Sequence, residues 1–503
     1  MIRYTDDMNN TWKIILLNIV FMVIAGCVSS PDIPALKNKE QMNLDSLVMK
    51  YSEFRLFRSG IWSVYARYTD SGETVLDFNS GKGLAVGSNM KLLTSAAALD
   101  ILGPDYRFRT GVYFDGSITS GTLTGNVYLA GSGDPSFLSG VIPSASTIEQ
   151  ITAQLAAECK KRGIQRIQGN IIADNSLIKS SSIPDDWIWG DLGTAYGAGS
   201  SALCVHENRV LLSFQVKQKK VVFIGSDPEI PYMNLLNALS VGAPDSPFLC
   251  RVKGLPRSPA VSVYGSVPDD GAVHSVMAAI PEPAFLASTM LYGALTKTGL
   301  AVTGKPMLTE LPVPYKKDNL LCSVSSPPLK DIVFYLLKKS INLYAEQLCI
   351  TLGLEKTGTA STQHGISVIS AYLQKQKLPM EGIAINDGSG LSRYTSVTTK
   401  LIVGLLKNMT ASVNYGVFYN ALGAAGDPQD ISFFSEWGTG TILAGNARIK
   451  SGSLRAVKAH SGYVTTRAGR LVAFSMIANN YNGEAEEVNE IHRQILTAIA
   501  ALE

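Results

Sequence analysis

The stretch that decides the fold is Ser88-Asn-Met-Lys-Leu-Leu-Thr-Ser-Ala-Ala-Ala-Leu99, a polar start followed by a run of leucine and alanine. These residues favour helix, and the run ends at Gly103-Pro104, so the sequence predicts a helix over Lys91–Leu102. Ser88 and Lys91 are three residues apart, a spacing that places both on one face of a helix start. A lysine whose pKa is lowered by burial can take the serine proton, so the pair is a candidate nucleophile and base.

Two further polar motifs follow in chain order. Ser340-Ile-Asn342 supplies a second hydroxyl and a carboxamide, and Lys450-Ser-Gly452 supplies a cation, a hydroxyl and a glycine. The glycine lets a substrate approach the backbone, and Lys450 lies in an alternating segment, residues 449–464, that predicts an edge strand. A base-activated serine, a hydroxyl–amide pair and a cation are together the groups that serine acyl transfer uses.

Four other places match these motifs by letters alone, namely Ser176–Lys179, Lys297–Gly299, Lys356–Gly358 and Ser412–Asn414. Lys297 comes before the second motif and ends a helical pattern, where a following glycine is typical of a helix C-terminus. Lys356 lies 14 residues past Asn342 and closes the same predicted helix, so it is poorly placed to return to the site on a strand. Position and pattern therefore favour Lys450 as the lysine of the third motif.

The composition is that of a globular chain with a large core. Of 503 residues, 46% are hydrophobic and 17% are charged, which excludes a disordered chain, a coiled coil and a collagen-like fibre. Lysine plus arginine number 44 against 41 acidic residues, so no nucleic-acid partner is indicated. The five histidines form no H-x-x-x-H pair and no G-x-S-x-G sequence occurs, so we expect neither a zinc peptidase nor an α/β-hydrolase, and no metal or other cofactor.

Residues 1–27 have the pattern of a bacterial lipoprotein signal peptide. The apolar run from Ile14 to Ala25 is shorter than the roughly 20 residues that span a bilayer, and it leads into Gly26-Cys27. Small residues before a cysteine resemble a lipobox, so we expect Cys27 to carry lipid and residues 28–43 to tether the chain to the membrane. The expected location is therefore the periplasm, as an exported and membrane-anchored lipoprotein. Five cysteines remain after cleavage, so at least one lacks a partner within the chain.

The mature chain has a β-rich middle between two segments that complement each other. Alternating runs on either side of Asp70-Ser-Gly-Glu73 predict a β-hairpin, and helical patterns return near the carboxyl end, including one helix over residues 331–353. In between, short alternating runs are separated by glycine-containing turns. We therefore assign residues 44–105 and 316–503 to a catalytic domain and residues 106–315 to inserted β-rich domains.

The stretches around the three motifs resemble one family. They are SNMKLLTSAAAL (88–99), GNVYLAGSGDPSF (125–137), GNIIADNS (169–176), SINLYAEQL (340–348), NDGSGLSR (386–393) and KSGSL (450–454). They are similar to the class C, low-molecular-mass penicillin-binding proteins, which are D-alanyl-D-alanine carboxypeptidase/endopeptidases. The resemblance implies an α+β fold: a penicillin-binding-protein/β-lactamase-like transpeptidase core, built of an antiparallel sheet with helices, with inserted β-rich domains.

The resemblance also implies a serine DD-peptidase that is acylated by penicillin. Such an enzyme cleaves the D-Ala-D-Ala bond or the cross-links of peptidoglycan stem peptides through an acyl-enzyme. Ser88 is then the nucleophile and Lys91 the base. Ser340 relays a proton to the leaving amine, and Asn342 orients Lys91 or the substrate amide. Lys450 completes the implied catalytic set.

The resemblance implies a set of substrate contacts, which are Lys450, Ser451, Gly452, Ser453, Arg393 and Asp174. Lys450 and Ser451 would hold the substrate carboxylate, and the backbone N–H groups of Ser88 and Ser453 would form the oxyanion hole. A structural ion pair for Arg393 and a turn role for Asp174 stay open.

Three departures and two alternatives remain. Ile341 stands where the family usually has Asp, Ser451 replaces Thr but keeps the hydroxyl, and Val86-Gly87 stands where Pro-Ala is commoner. None of these changes removes a reacting group. The alternatives are a serine β-lactamase and a non-catalytic cell-wall-binding lipoprotein of the same fold.

Overall fold

The computed structural model describes residues 44–503, so the expectations for Cys27 and for the tether at 28–43 lie outside the described residues. The α-helices of this part are α1 (Leu44–Ser52), α2 (Met90–Leu102), α3 (Ile148–Lys161), α4 (Pro283–Lys297), α5 (Leu329–Lys339), α6 (Asn342–Thr357), α7 (Thr362–Lys375), α8 (Thr399–Met409), α9 (Tyr415–Ala421) and α10 (Ala485–Ala500). None of the helices between residues 44 and 503 is both long and apolar enough to cross a membrane.

The strands form five sheets. A six-stranded sheet contains β1 (Ile61–Tyr68), β2 (Thr74–Phe78), β18 (Gly423–Ala424), β19 (Arg448–Leu454), β20 (Val457–Thr465) and β21 (Leu471–Asn479). A five-stranded sheet contains β3 (Arg109–Phe114), β6 (Val127–Ala130), β8 (Ile171–Asp174), β16 (Pro306–Thr309) and β17 (Leu320–Ser325). A four-stranded sheet contains β4 (Ser117–Thr119), β5 (Thr122–Thr124), β7 (Arg166–Gln168) and β15 (Ala301–Val302).

The two remaining sheets have three strands each. One contains β9 (Arg209–Lys217), β10 (Lys220–Asp227) and β14 (His274–Ala279), and the other contains β11 (Asn234–Gly242), β12 (Leu249–Gly254) and β13 (Ala260–Pro268). Val210–Pro281 and Gly193–Ala195 form a compact unit of their own. The other described residues, 44–192, 196–209 and 282–503, form a second and larger compact unit.

The six-stranded sheet is the centre of the larger unit, and all its strand pairs are antiparallel. Its order is β18-β19-β20-β21-β1-β2, so a strand from the start of the described chain lies beside the last strand. Helices cover both faces. On β21, Ala473 and Ile477 pack with α2, α6 and α8, whereas Phe474 and Met476 pack with α1 and α10. Because both faces are buried, β21 is apolar almost throughout instead of alternating.

Helix α2 is buried nearly all round, which its leucine- and alanine-rich sequence permits. A single 3₁₀ turn, Gly87–Asn89, leads into it. The helix ends at Gly103, whose φ of 86° suits glycine. This confirms the predicted helix and places Ser88 and Lys91 at its buried start.

The predicted hairpin at 61–78 is also confirmed, with β1 and β2 antiparallel. The prediction of one helix over residues 331–353 is wrong, because α5 ends at Lys339 and α6 begins at Asn342. Ser340 between them has φ 57°, the left-handed conformation that commonly ends a helix.

The structure gives the inserted segment two sheets in the larger unit and two in the smaller one. Strand β17, which lies past residue 315, pairs with β3, so the five-stranded sheet includes chain from both sides of the assigned boundary. The division of the chain into a catalytic domain and inserted domains at 105/106 and 315/316 stays a prediction.

Candidate active site

Lys91 is the centre of the site. Its side chain is fully buried, and its Nζ lies 2.7 Å from Ser88 Oγ, 2.6 Å from Asn342 Oδ1 and 2.8 Å from the carbonyl oxygen of Ser389. An ammonium has three hydrogens, so these three acceptors satisfy it completely. When the amine is neutral, the same short contact lets the Ser88 hydroxyl donate to the free lone pair of Nζ.

Burial prepares Lys91 to act as a base near neutral pH. Burial lowers the pKa of Lys91 to about 7, while the negative charges of Asp387 and Glu346 act in the opposite direction. A lysine in water has a pKa about three units higher and holds its proton at pH 7. Lys91 therefore has a substantial unprotonated fraction within hydrogen-bonding distance of the Ser88 hydroxyl.

The second and third motifs meet at a second buried lysine. Lys450 Nζ donates to Ser340 Oγ at 2.9 Å and to the carbonyl oxygen of Ser451 at 2.8 Å. Burial, followed by the charges of Lys91 and Lys458, holds the pKa of Lys450 well below its usual value. The two lysines therefore disfavour each other's protonated form.

Asn342 joins the second motif to the first. It is the first residue of α6, and besides accepting from Lys91 it donates from Nδ2 to the carbonyl oxygen of Tyr196 at 2.8 Å. Both ends of the carboxamide are thus occupied, which fixes its orientation. The Ile341 departure leaves this geometry intact, because Ile341 is itself buried in the helical core beside Leu336 and Leu337.

Two glycines allow the serine turn to approach strand β19. A Cβ on Gly452 would lie 2.0 Å from the carbonyl oxygen of Val86, and one on Gly87 would lie 2.8 Å from the backbone nitrogen of Ser453. Gly87 also has φ 52°, which L side chains rarely adopt. Any larger residue would therefore separate Ser88 from the strand. The arrangement brings the backbone around Ser88 and the N–H of Ser453 close together.

Strand β19 is open along the half that carries the third motif. Its neighbour β18 pairs only with Arg448 and Ile449, before Lys450 is reached. Ser451 is partly exposed, and Ser453 is exposed, its Oγ accepting from Lys458 Nζ at 3.0 Å. The backbone from Ser451 onward is therefore available to pair with an extended peptide.

The other two predicted substrate contacts, Arg393 and Asp174, both have hydrogen-bond partners within the protein. Arg393 Nη1 donates to the carbonyl oxygen of Arg455, just past the end of β19, at 3.4 Å. Asp174 is buried at the end of β8 and accepts from the Ser176 backbone at 2.9 Å and from the Tyr315 hydroxyl at 2.5 Å. Arg393 thus borders the third motif, whereas the contacts of Asp174 are those of a turn residue. A substrate role for either residue stays a prediction.

The four look-alike motifs lie at helix ends or have hydrogen-bond partners outside the site. Lys297 ends α4, and Lys356 lies in the last turn of α6 before Gly358, which has φ 76°. Asn414 Nδ2 donates to the carbonyl oxygen of Leu99, at the far end of α2. Lys179 Nζ donates to the backbone of Ser176 and not to its hydroxyl.

Sequence reasoning missed three residues of the site, namely Glu346, Asp387 and Ser389. Glu346 follows Asn342 by four residues, so both lie on one face of α6, and this spacing was a usable signal. Asp387 and Ser389 stood in the stretch NDGSGLSR, but nothing in their sequence showed that this loop reaches Lys91.

Comparison with known proteins identifies the family of this chain. The sequence pattern of the D-Ala-D-Ala carboxypeptidase 3 (S13) family matches residues 42–502. The chain belongs to this family. It is 30% identical over 426 residues to a D-alanyl-D-alanine carboxypeptidase of Actinomadura sp., a match that covers 83% of this chain and 77% of the relative. It is 25% identical over 425 residues to the D-alanyl-D-alanine carboxypeptidase DacB of Haemophilus influenzae, covering 83% and 85%.

Solved structures agree with the fold. Penicillin-binding protein 4 (dacB) from Haemophilus influenzae matches with a TM-score of 0.77 and 24% identity, covering 92% of this chain and all of that chain. The same protein complexed with a β-lactam matches with a TM-score of 0.72 and 23% identity, covering 90% and 98%. The predicted family, the penicillin-binding-protein fold and the class of serine-type D-Ala-D-Ala peptidase are therefore confirmed.

Proposed function

We propose that the protein hydrolyses the D-Ala-D-Ala bond, or the peptide cross-links, of peptidoglycan stem peptides through an acyl-enzyme on Ser88. The observation that supports this most directly is the buried Lys91, whose Nζ contacts Ser88 Oγ at 2.7 Å and Asn342 Oδ1 at 2.6 Å. No additional base is needed, since burial has already lowered the pKa of Lys91 to about 7.

In the first half-reaction, Lys91 takes the Ser88 proton as Oγ attacks the carbonyl carbon of the penultimate D-alanine. The oxyanion that forms accepts from the backbone N–H groups of Ser88 and Ser453. Ser340, which is oriented by Lys450 Nζ at 2.9 Å, then relays the proton held by Lys91 to the leaving amine, and Lys91 becomes neutral again. Lys450 and Ser451 attract the terminal carboxylate of the substrate, so the cation draws it toward the open half of β19.

In the second half-reaction, water attacks the acyl carbon and gives a proton to Lys91, and Lys91 returns this proton to Ser88 Oγ as Ser88 leaves as the alcohol. A β-lactam mimics the substrate and acylates the same oxygen, and the acyl-enzyme then persists when water attacks slowly. A serine β-lactamase would differ only in the speed of this last step, so the rate of deacylation separates the two functions.

The test is labelling of the purified protein with a fluorescent penicillin. We expect the native protein to be labelled and Ser88→Ala to be unlabelled, because that variant lacks the attacking oxygen. Ser176→Ala is the matched control, since Ser176 belongs to the look-alike motif with Lys179 and should be dispensable. Labelling of folded Ser88→Ala, or no labelling of the native protein, would contradict the proposal. Released D-alanine and cleaved dimeric stem peptide measure the two peptidase activities separately.

We also infer that the protein is exported and held at the membrane of the periplasm by lipid on Cys27. The support is the short apolar run that ends in Ile-Ala-Gly-Cys27. Anchoring of this kind makes release from the membrane fraction depend on detergent. Cys27→Ser should move the protein to the soluble fraction, and mass spectrometry of the native protein should find a modified amino-terminal Cys27. An unmodified Cys27 in the membrane-bound protein would contradict this inference.

A further inference from the structure

A buried loop connects Lys91 to a carboxylate that the mechanism does not use. Glu346 is 1% exposed and lies one turn past Asn342 on α6. Its Oε2 accepts from the Gly388 backbone at 3.1 Å and its Oε1 accepts from the Ser389 backbone at 2.8 Å. Both carboxylate oxygens therefore bind the N–H side of the loop.

Helix α2 holds the carbonyl side of the same two residues. Lys91 Nζ donates to the Ser389 carbonyl at 2.8 Å, and Thr94 Oγ1 donates to the Gly388 carbonyl at 2.7 Å. A Cβ on Gly388 would lie 2.6 Å from the carbonyl oxygen of Ala345, so only glycine lets the loop lie this close to α6. The peptide groups of Gly388 and Ser389 are thus clamped between the base on one helix and the carboxylate on the other.

Asp387 adds a second buried charge at the start of the loop. It is fully buried and accepts from Trp187 Nε1 at 3.0 Å, from the Gly390 backbone at 2.9 Å and from the Ser392 backbone at 2.7 Å. Asp387 thus binds three N–H donors, whereas Glu346 binds the two N–H groups of the loop.

The charged groups that face Lys91 are Glu346 from α6, Asp387 from the loop and Lys450 from β19. On two other helices packed on α2, a titratable group is bonded elsewhere: Tyr372 of α7 donates to Asp100, and Lys338 of α5 donates to Asp430. The thiol of Cys349, beside Glu346, stays protonated because burial and the two carboxylates raise its pKa. The carboxylates alone oppose the effect of burial on Lys91.

We propose that Glu346 is a positioning residue that fixes the Ser389 carbonyl against Lys91 and governs the pH at which Lys91 becomes a base. The proposal rests on the proposed function, in which Lys91 takes the Ser88 proton. Burial, followed by the charge of Asp387, raises the pKa of Glu346, while an ionised Glu346 raises the pKa of Lys91. One arrangement has Lys91 protonated and Glu346 ionised, and the other has both neutral. The charge on Glu346 favours the first arrangement, whereas only the second contains the free base.

The test is the pH profile of the second-order rate of acylation by penicillin. Glu346→Gln removes the charge and keeps one carbonyl oxygen for the loop. Because a neutral neighbour no longer stabilises the ammonium, we expect the acid limb of the profile to move to lower pH by about one unit. Thr94→Val is the matched control, since it removes a bond to the same loop without changing any charge. The acid limb of this variant should have its midpoint within about 0.2 pH units of the native midpoint, even if its acylation rate changes.

Glu346→Asp keeps the charge on a shorter side chain and serves as the second variant. It should be acylated more slowly, with a midpoint within about 0.3 units of native. The inference would be overturned if folded Glu346→Gln had the same acid-limb midpoint as the native protein. It would also be overturned if the midpoint of Glu346→Asp moved by about one pH unit. Failure of the proposed function is distinct from either result, because the native protein itself would then not be acylated.

Discussion

Lys450 has two hydrogen-bond acceptors, Ser340 Oγ at 2.9 Å and the Ser451 carbonyl at 2.8 Å, and is 2% exposed. Its cation orients the hydroxyl that serves the leaving group and attracts the substrate carboxylate. We therefore expect Lys450→Ala to slow acylation by penicillin at least about tenfold, a loss of about 1.4 kcal/mol in transition-state stabilisation. The measurement is the second-order acylation rate of the purified variant, with folding checked by a thermal melt.

The controls are Lys356→Ala and Lys297→Ala, which change the lysines of the two look-alike motifs. Each should acylate within about twofold of the native rate, because each lysine lies in the last turn of a helix, where a cation interacts favourably with the helix dipole. Normal acylation by folded Lys450→Ala together with a loss in folded Lys356→Ala would show that the third motif is misassigned.

The sequence was sufficient for residues whose chemistry and order are both distinctive. Lys91 is hydrogen-bonded to Ser88 and Asn342, and Lys450 is hydrogen-bonded to Ser340, while their catalytic roles stay a prediction. Glu346 and Ser389 were not predicted, because their place depends on how a loop packs between α2 and α6. For Asp174 the sequence was insufficient in another way. The stretch GNIIADNS identified the residue, but it could not show that the Ser176 N–H and the Tyr315 hydroxyl donate to its carboxylate.

At the scale of elements, the boundary between α5 and α6 was the feature that the sequence concealed. Residues 331–353 contain no proline and no glycine before Gly353, so the helical pattern runs through Ser340 without a stop signal. The break is imposed by packing: Ile341 is buried, its N–H donates to the Leu336 carbonyl at 3.2 Å, and Ser340 Oγ accepts from Lys450. Tertiary contacts thus override local propensity at a residue that the mechanism uses.

Ser340 has φ 57°, a conformation that costs a non-glycine residue on the order of 1 kcal/mol. Ser340→Gly relieves this strain but removes the hydroxyl between Lys450 and the leaving group. We therefore expect the variant to melt at the native temperature or slightly above it, while its acylation rate falls at least about tenfold. Thermal melts and acylation rates of the same preparations measure the two effects.

Gln218→Gly is the matched control, because it relieves backbone strain at a residue that has no part in the reaction. Gln218 has φ 49° in the turn between β9 and β10, where glycine is equally well suited. That variant should keep the native acylation rate. A Ser340→Gly protein that acylates at the native rate would remove Ser340 from the mechanism, and one that is strongly destabilised would show that the left-handed turn is not strained.

At the scale of the whole molecule, the six-stranded sheet joins the two ends of the described chain. Strand β1 pairs with β21 along its entire length, from Ile61 opposite Asn479 to Tyr68 opposite Val472. Such pairing between distant parts of the sequence was beyond periodicity analysis, which detects strands but not their neighbours. The family resemblance assigned residues 44–105 and 316–503 to one domain but predicted no pairing between their strands.

A buried hydrogen-bond chain crosses this junction between β1, α10 and β20. Trp62 Nε1 donates to His492 Nε2 at 2.9 Å, so the neutral His492 carries its hydrogen on Nδ1 and donates it to His460 Nδ1 at 2.9 Å. Burial, with the charge of Lys458, lowers the pKa of His492 to about 3, and burial also lowers that of His460. Both rings are therefore neutral in the folded protein.

This chain makes stability depend on pH in a predictable direction. The unfolded chain takes up a proton on His492 below about pH 6.5, whereas the folded protein does not, so stability is lost as the pH falls from 6.5 toward 3. At pH 5 the loss of stability from His492 alone is about 2 kcal/mol.

His492→Phe tests this dependence. Phenylalanine does not titrate, and it leaves the Trp62 N–H unpaired, which costs about 1–3 kcal/mol of stability at any pH. We expect this variant to melt below the native protein at pH 7.5, and the gap to narrow by a few degrees at pH 5. His364→Phe, at an exposed position, is the control and should show no such narrowing. A gap that stays constant or widens in acid would mean that His492 is already protonated in the folded protein, so that its Nε2 could not accept the hydrogen of Trp62.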